Sequence, residues 1–190
     1  MKKNILIING SITGRNGNTN QIIKRVENIL LDFNLEFKTI HLNQDRYELK
    51  ELLTWAHGFI FTTGTYWDNW GSPMQKFIEE MTEFEATPEL LFKPASVIVS
   101  MHAFGGKEVL SRLQGILNTM GLMIPPMSGM TYGLAIQEAL NRSEDFSKDF
   151  WSIDDLEVVL FNLKEALNHH CQFKAWPVDK KDPTRRWINI

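Results

Sequence analysis

The chain has 190 residues, of which 43% are hydrophobic and 23% are charged, and its net charge is -3. This length suits one domain with a sizeable core. The small negative charge gives no indication of a nucleic-acid or membrane-surface partner. Apolar runs such as 5–8 and 95–99 are too short to cross a bilayer, and we recognise no signal peptide. We therefore expect a single-domain, cytoplasmic protein without a membrane or nucleic-acid partner.

Short apolar runs alternate with longer amphipathic segments along the chain. Residues 4–9 are almost continuously apolar, which is typical of a strand buried on both faces, and 20–31 carry apolar residues at helical spacing. The pattern continues with strand 35–42, helix 45–55, strand 58–62, helix 72–83, strand 95–101, helix 107–120, strand 122–124, helix 134–140 and helix 153–169. This order predicts a parallel sheet with helices on both faces.

Several predicted helix ends rest on capping residues. Ser72 and Pro73 predict an N-cap and a first helical position. Gly121 suits the end of a helix, and the acids Asp154 and Asp155 suit the start of the last one.

An irregular tail follows from about residue 174. It contains Trp176, Pro177, Pro183 and Trp187, so we expect it to pack on the domain or on a second subunit.

Cysteine use excludes several kinds of site. Cys171 is the one cysteine, so a single chain has no internal disulfide, Cys-rich zinc site or Cys-ligated iron–sulfur cluster. We expect a structural role for it. The run His169, His170 and Cys171 is a weak metal candidate, because adjacent side chains point in different directions on a helix. We predict no metal site.

The loop after the first strand, residues 9–20, predicts an anion site. It is rich in Gly, Ser, Thr and Asn and leads into a helix N-terminus, where backbone N–H groups and the helix dipole favour a phosphate. We expect Asn16, Asn18 or Thr19 to cap both the helix and the ligand. The nucleotide-triphosphate and dinucleotide fingerprints are both absent. With Arg15 as its one cation, the loop suits a phosphate monoester; an ordinary Gly-rich turn is the alternative.

Two further loops follow strands at the same predicted edge. Residues 64–73 include the aromatics Tyr66, Trp67 and Trp70, which could wall in a planar ligand while Thr65 and Asn69 bond its edge. Local packing or a subunit interface is the alternative.

The next loop, 102–108, has Gly105 and Gly106, which allow close approach of a ligand or make a plain strand-to-helix turn. His102 either meets a ring edge or ends the strand.

These segments resemble the NAD(P)H-dependent FMN reductase group of flavodoxin-like flavoproteins. Residues 10–19 resemble its phosphate segment, 63–69 with the following helix its flavin-ring segment, and 104–106 its third contact loop, within a match over about 4–125. Gly64 stands where the group usually has Pro, and a Cys motif typical of iron–sulfur relatives is absent.

The resemblance implies a flavodoxin-like three-layer α/β sandwich with a five-stranded parallel sheet of order 2-1-3-4-5. It also implies FMN as cofactor, with NADPH or NADH as co-substrate, and a homodimer. Arg15 could contact FMN or the 2′-phosphate of NADPH. The implied cofactor-binding residues are Ser11, Arg15, Asn16, Gly17, Asn18, Thr19, Thr65, Tyr66, Trp67, Asn69, His102, Phe104, Gly105 and Gly106.

The predicted function is an oxidoreductase that passes electrons from reduced nicotinamide through FMN to a quinone, flavin, azo or nitro compound. The flavin supplies the chemistry, so no side chain is predicted to be catalytic. Tyr66, Trp67 and Trp70 would shape the face on which substrates stack. An electron-transfer flavodoxin is one alternative, although such proteins are usually strongly acidic. A non-enzymatic binding module that has lost the flavin is the other.

Overall fold

The computed structural model describes residues 2–142, 152–169 and 172–180, together with 184, 186 and 188. His170, Cys171, Pro183 and Trp187 lie outside the described residues, and the predictions made for them stay predictions. The strands are β1 (Asn4–Asn9), β2 (Glu36–His41), β3 (Gly58–Gly64), β4 (Ala95–Met101) and β5 (Gly129–Gly133). The helices are α1 (Asn18–Asp32), α2 (Leu49–Trp55), α3 (Ser72–Met81), α4 (Gly106–Thr119), α5 (Leu134–Asn141) and α6 (Leu156–Ala166).

The five strands form one parallel sheet in the order β2-β1-β3-β4-β5. The predicted flavodoxin-like sheet order is therefore confirmed. The strand order reverses between β1 and β3. From β1 the chain continues to β2 at one edge of the sheet, and from β3 it continues through β4 to β5 at the other edge. Ligands of open α/β sheets bind at such a reversal, outside the carboxyl ends of the strands.

The core has two halves, one on each face of the sheet. Successive strand residues point to opposite faces, so Leu6 and Ile8 of β1 pack in one half while Ile5 and Ile7 pack in the other. The first half contains residues of α2, α3 and α4, and the second contains residues of α1 and α6. This double burial explains why residues 5–8 of β1 are all apolar rather than alternating with polar residues.

The fifth strand was predicted at the wrong place. Residues 122–124 contribute one isolated bridge, between Met123 and Pro94, and the continuous β5 starts at Gly129. Pro125 and Pro126 cause the break, because proline has no N–H to donate to the sheet. β5 itself has glycine at both ends and three residues between them, so it has no apolar run that the sequence pattern could reveal.

Two helix starts also differ from the prediction. The N-cap of α1 is Gly17, and that of α3 is Gly71; neither helix has a capping hydrogen bond from a side chain. Ser72 is therefore already helical. The expected caps at Asn16, Asn18 or Thr19 are wrong for the same reason: the backbone becomes helical at residue 18, immediately after a glycine.

Other ends agree with the prediction or move by a few residues. Gly121 follows α4 with a φ of 109°, as expected of a terminating glycine. Ser152 and Asp155 form a capping box before α6, so the acids do lie at a helix start. α2 begins at Leu49 instead of 45, and α6 ends at Ala166 instead of 169.

The described part of the tail contacts the domain near the amino end of β4. The Phe173 ring lies 5.4 Å from the Phe92 ring, and Lys180 Nζ donates to the backbone oxygens of Glu83 (3.1 Å) and Glu85 (2.7 Å). Trp176 remains 62% exposed. In the part of the chain described here, none of the helices has the length and apolar character needed to span a membrane.

Candidate functional site

Three loops meet at the carboxyl edge of the sheet: the first loop (residues 10–17), the second loop (65–71) and the third loop (102–105). They follow β1, β3 and β4, which are neighbours in the sheet. Between them lies a cleft of about 370 Å³. It is lined by Thr13, Asn16, Gly17, Asn18, Thr19, Gly64, Thr65, Tyr66, Ser100, Met101, His102 and Leu134.

The cleft brings together part of the set chosen from the sequence. The lining contains the predicted residues Asn16, Gly17, Asn18, Thr19, Thr65, Tyr66 and His102. The lining does not contain Ser11, Arg15, Trp67, Asn69, Phe104, Gly105 and Gly106, which lie in or next to the same loops.

Sequence reasoning missed five lining residues: Thr13, Gly64, Ser100, Met101 and Leu134. Ser100 and Met101 end β4, so their place at the carboxyl edge was a usable signal. Leu134 follows β5 directly and was hidden by the misplaced fifth strand.

The start of α1 offers unpaired donors to a ligand. The N-cap Gly17 has no side chain, and within the described ranges no side chain accepts the N–H groups of the first turn. Ser11 is fully buried, and its hydroxyl has no hydrogen-bond partner among the described residues. The hydroxyls of Ser96 and Ser128 are in the same state, but these residues lie away from the three loops. An anion at the helix N-terminus fits this donor set.

Arg15, the cation of the first loop, is already paired. Its Nη2 donates to Asp45 Oδ1 at 2.6 Å, and its Nη1 to Gln44 Oε1 at 3.2 Å. Burial works to raise the pKa of Asp45, but the hydrogen bond from the His41 N–H and the contact with Arg15 outweigh it and lower that pKa. The cleft itself is lined by neutral groups and His102, so an anion there would be held by hydroxyls, amides and the helix dipole.

A buried hydroxyl pair joins α1 to the end of β4. Thr19 Oγ1 lies 2.7 Å from Ser100 Oγ, and Ser100 Oγ donates to Thr63 O at 3.4 Å. Thr19 was predicted as a ligand-binding residue. The structure places its hydroxyl on Ser100, where it fixes the floor of the cleft between the first and third loops.

The second loop is a tight hairpin that holds the first loop. Tyr66 and Asn69 exchange backbone hydrogen bonds of 2.6 and 3.0 Å, and Trp67 and Asp68 between them have φ of 49° and 56°. Positive φ at both central residues is the pattern of a type I′ turn. The Tyr66 hydroxyl accepts the Ile12 N–H at 3.1 Å, which ties the two loops together.

The two tryptophans of the second loop have opposite environments. Trp67 is fully exposed at the tip of the turn. Trp70 is 7% exposed, belongs to the core on the α3 side, and donates its Nε1–H to Gln75 Oε1 at 2.8 Å. The expectation that Trp70 shapes the ligand face is therefore wrong: it is a core residue.

The third loop touches the second through a glycine. Gly105 has a φ of 82°, and a Cβ at this position would come within 2.5 Å of Asp68 Oδ1. The close approach of the two loops therefore requires glycine here. Phe104 beside it is 84% exposed and His102 is exposed as well, so both side chains are free to contact a bound molecule.

A doubly wound parallel sheet of the order 2-1-3-4-5 defines the flavodoxin-like class of proteins, whose ligands bind where the strand order reverses. In this chain the first loop, with its predicted anion site, lies at that position. Within that class, the sequence model of the NADPH-dependent FMN reductase family matches residues 3–137, well over half of the chain. The chain belongs to this family, and it is accordingly a flavin oxidoreductase that works with FMN.

Solved structures agree on the fold. RosB, solved with the intermediate 8-demethyl-8-formylriboflavin-5'-phosphate, has a TM-score of 0.69 at 13% identity over 99% of this chain and 96% of its own. FerB, an NAD(P)H:(acceptor) oxidoreductase from Paracoccus denitrificans, has a TM-score of 0.63 at 16% identity over 87% and 96%. The NADH:FMN oxidoreductase EMOB has a TM-score of 0.60 at 19% identity over 88% of each chain. A search of curated proteins finds no matching relative.

Proposed function

We propose that this chain binds FMN in the cleft between the three loops and uses it to oxidise NADPH or NADH with a small organic acceptor. The observation that carries the proposal is the donor set at the start of α1. Ser11 offers a buried hydroxyl without a partner among the described residues, and the first turn of the helix has no side-chain cap. In this proposal the oxygens of a phosphate monoester accept from both kinds of donor, which requires the Ser11 hydroxyl, not itself part of the cleft lining, to face the phosphate when FMN binds.

In this proposal Ser11, Asn16, Gly17, Asn18 and Thr19 hold the phosphate end. Thr65, Tyr66, Trp67, Asn69, His102, Phe104, Gly105 and Gly106 surround the ring, and Arg15 supports the first loop through Asp45. Bound FMN supplies the two-electron redox chemistry between nicotinamide and acceptor. The chain's own residues position the ring, shield it from water and leave one face accessible, and no side chain has to act as acid or base.

The nicotinamide and the acceptor are proposed to use the rim of the same cleft. Trp67 and Phe104 are exposed aromatic side chains on the second and third loops, which approach each other at Gly105 and Asp68. Flat rings stack well on such surfaces. The names of FerB and EMOB, which include NAD(P)H or NADH as donor, support this donor class. Quinones, free flavins, azo and nitro compounds are the acceptors to be tried.

We also infer a homodimer and a cytoplasmic location. Ile12, Trp67 and Phe104 are all exposed on the loops around the cleft. A second subunit placed over this rim would cover apolar surface and complete the wall of the ring site.

The test is a titration of the purified protein with FMN, followed by flavin fluorescence and absorbance. We expect saturable binding, and then oxidation of NADPH or NADH that depends on both FMN and a quinone. A protein that binds no FMN would overturn the proposal. Binding without nicotinamide oxidation under any acceptor would instead favour the electron-transfer alternative.

A matched pair of serine variants sharpens this test. Ser11→Ala removes the hydroxyl that would bond the phosphate, so FMN affinity should fall about tenfold or more. Ser96→Ala removes an equally buried, equally unpartnered hydroxyl away from the loops, so affinity should not change. Neither variant should lose stability, because each removes a buried polar group that lacks a partner. Equal FMN affinity in both variants would contradict the placement of the phosphate.

A further inference from the structure

Asn9, the last residue of β1, holds the first loop by its side chain. It is fully buried. Its Oδ1 accepts the Ser11 N–H at 3.0 Å, and its Nδ2 donates to the Gly14 oxygen at 3.2 Å. The turn that precedes the helix N-terminus is thus fixed at two points by one amide. These two bonds also set which way round the amide lies, since an N–H can only meet Oδ1 and a carbonyl can only meet Nδ2.

His41 receives the remaining donor of this amide. It is the last residue of β2 and is paired with Asn9 in the sheet. Its Nδ1 lies 3.0 Å from Asn9 Nδ2, and its side chain is buried with 6% exposure of the residue. Because Nδ2 can only donate, Nδ1 must be the acceptor. The imidazole is therefore neutral, with its proton on Nε2.

From this geometry we infer that neutral His41 is a positioning residue for the phosphate-binding loop, and that its protonation weakens FMN binding. The inference rests on the proposed function. A proton on Nδ1 would face the Asn9 N–H group. If the amide turned round to present Oδ1 to that proton, its Nδ2 would face the Ser11 N–H and its Oδ1 would leave the Gly14 oxygen without a donor. Both bonds to the first loop would be lost.

The charges around His41 support the neutral form. Burial lowers the pKa of His41, and Arg15 from the first loop lowers it further. Asp45, just after β2, and Glu27 of α1 act in the opposite direction but do not outweigh these effects. A histidine with a lowered pKa is neutral at pH 7.5 and takes up a proton as the pH falls below its ordinary value of 6.5. FMN affinity should therefore decrease on acidification.

The experiment measures the FMN dissociation constant by fluorescence between pH 7.5 and 5.5 in wild type and two His41 variants. The phosphate of FMN itself titrates at about pH 6, so the pH profile of wild type alone is not enough. His41→Asn places an amide oxygen where Nδ1 lies but cannot be protonated. It should bind like wild type at pH 7.5, and the FMN affinity of wild type should then fall further than that of the variant as the pH is lowered to 5.5. His41→Phe offers no acceptor, so its affinity should be about tenfold lower already at pH 7.5.

His57→Asn is the control. His57 Nδ1 accepts the backbone N–H of Asn4 at 3.1 Å, at the opposite end of β1, and burial lowers its pKa too. This variant should keep the wild-type pH profile of FMN binding. Denaturant unfolding of each variant shows whether it is folded at each pH.

The outcomes separate the two proposals. Absence of FMN binding by wild type at pH 7.5 would overturn the proposed function. Two other outcomes would overturn the role of His41 and leave the proposed function intact. One is a pH profile of FMN binding that is the same in wild type and His41→Asn, and the other is a wild type that gains affinity relative to that variant as the pH falls.

Discussion

Gly105 is a single residue whose lack of a side chain sets the distance between two loops. Its φ of 82° is unfavourable for other residues, and a Cβ would meet Asp68. Gly105→Ala should therefore lower the free energy of unfolding by about 1–3 kcal/mol and weaken FMN binding.

Gly115→Ala is the comparison for this prediction. Gly115 lies inside α4, and nothing lies within 4 Å of a Cβ placed there. Alanine should stabilise the protein by about 0.5–1 kcal/mol, because it favours the helix over the unfolded chain. Urea unfolding measures both values. Equal effects at the two positions would show that the contact between the loops does not need glycine.

The sequence did not reveal which aromatic side chains of the second loop face solvent and which face the core. The sequence shows that the second loop is rich in aromatic residues. It does not show that Trp67 is exposed while Trp70, three residues later, is buried. The type I′ turn between Tyr66 and Asn69 decides this, and the sequence marks it only weakly: Asp68 suits such a turn, but Trp67 stands where glycine, asparagine or aspartate is usual. Arg15 was found as the cation of the first loop, but its partner Asp45 lies after a different strand.

At the scale of elements, a charge placed at the uncapped start of α1 should change the free energy of unfolding and the FMN affinity in opposite directions. Asn18→Asp places a negative charge at the first helical position, where the helix dipole stabilises it by about 0.3–1 kcal/mol. The same charge would repel a phosphate, so FMN affinity should fall about tenfold or more. Circular dichroism with urea and a flavin titration measure the two effects.

The control for this charge change is Asn28→Asp. Asn28 is exposed on α1 beyond its first turn, so the net charge changes equally without a charge at the cleft. FMN affinity should stay at the wild-type value. If Asn18→Asp bound FMN as tightly as this control, the phosphate would not lie at the start of α1.

Elements with a strong hydrophobic pattern were predicted well, and short ones near prolines were not. β1, β4 and α4 lie within a residue of their predicted bounds, because buried strands and amphipathic helices repeat their pattern over many residues. β5 depends on hydrogen bonds to β4 that begin only after the two prolines. His41 likewise gains its role from pairing with Asn9, a contact between strands that local sequence does not encode.

For the whole molecule, two partly or fully buried histidines make stability depend on pH. Burial lowers the pKa of both His41 and His57 in the folded protein. The unfolded chain binds protons first as the pH falls below 6.5, so the free energy of unfolding should be highest above that value and decrease on acidification. Asp45, with its lowered pKa, contributes in a separate window below its ordinary value of 3.8.

Thermal unfolding of the ligand-free protein between pH 7.5 and 5 measures this dependence. His57→Asn should reduce the slope without touching the cleft, and adding His41→Asn should reduce it further. If the stability of the wild type increased as the pH was lowered from 7.5 to 5, the imidazoles of His41 and His57 could not both be neutral in the folded protein.

The position of the cleft followed from the fold more than from any one motif. Parallel strands place their following loops at one edge, so the loops after β1, β3 and β4 had to be neighbours once the sheet order was known. The family resemblance supplied that order. The tail contacts of Phe173 and Lys180 join segments far apart in the chain, which a local sequence pattern cannot predict.

The interruption before β5 has a consequence for solubility. β5 is an outer strand of the sheet, and an outer strand exposes backbone groups that can pair with another molecule and start aggregation. Pro125 and Pro126, just before β5, cannot donate backbone hydrogen bonds, and β5 itself is five residues long. The edge of the sheet at β5 is therefore a poor template for an incoming strand. The same two prolines that separate residues 122–124 from β5 thus protect the sheet from growing.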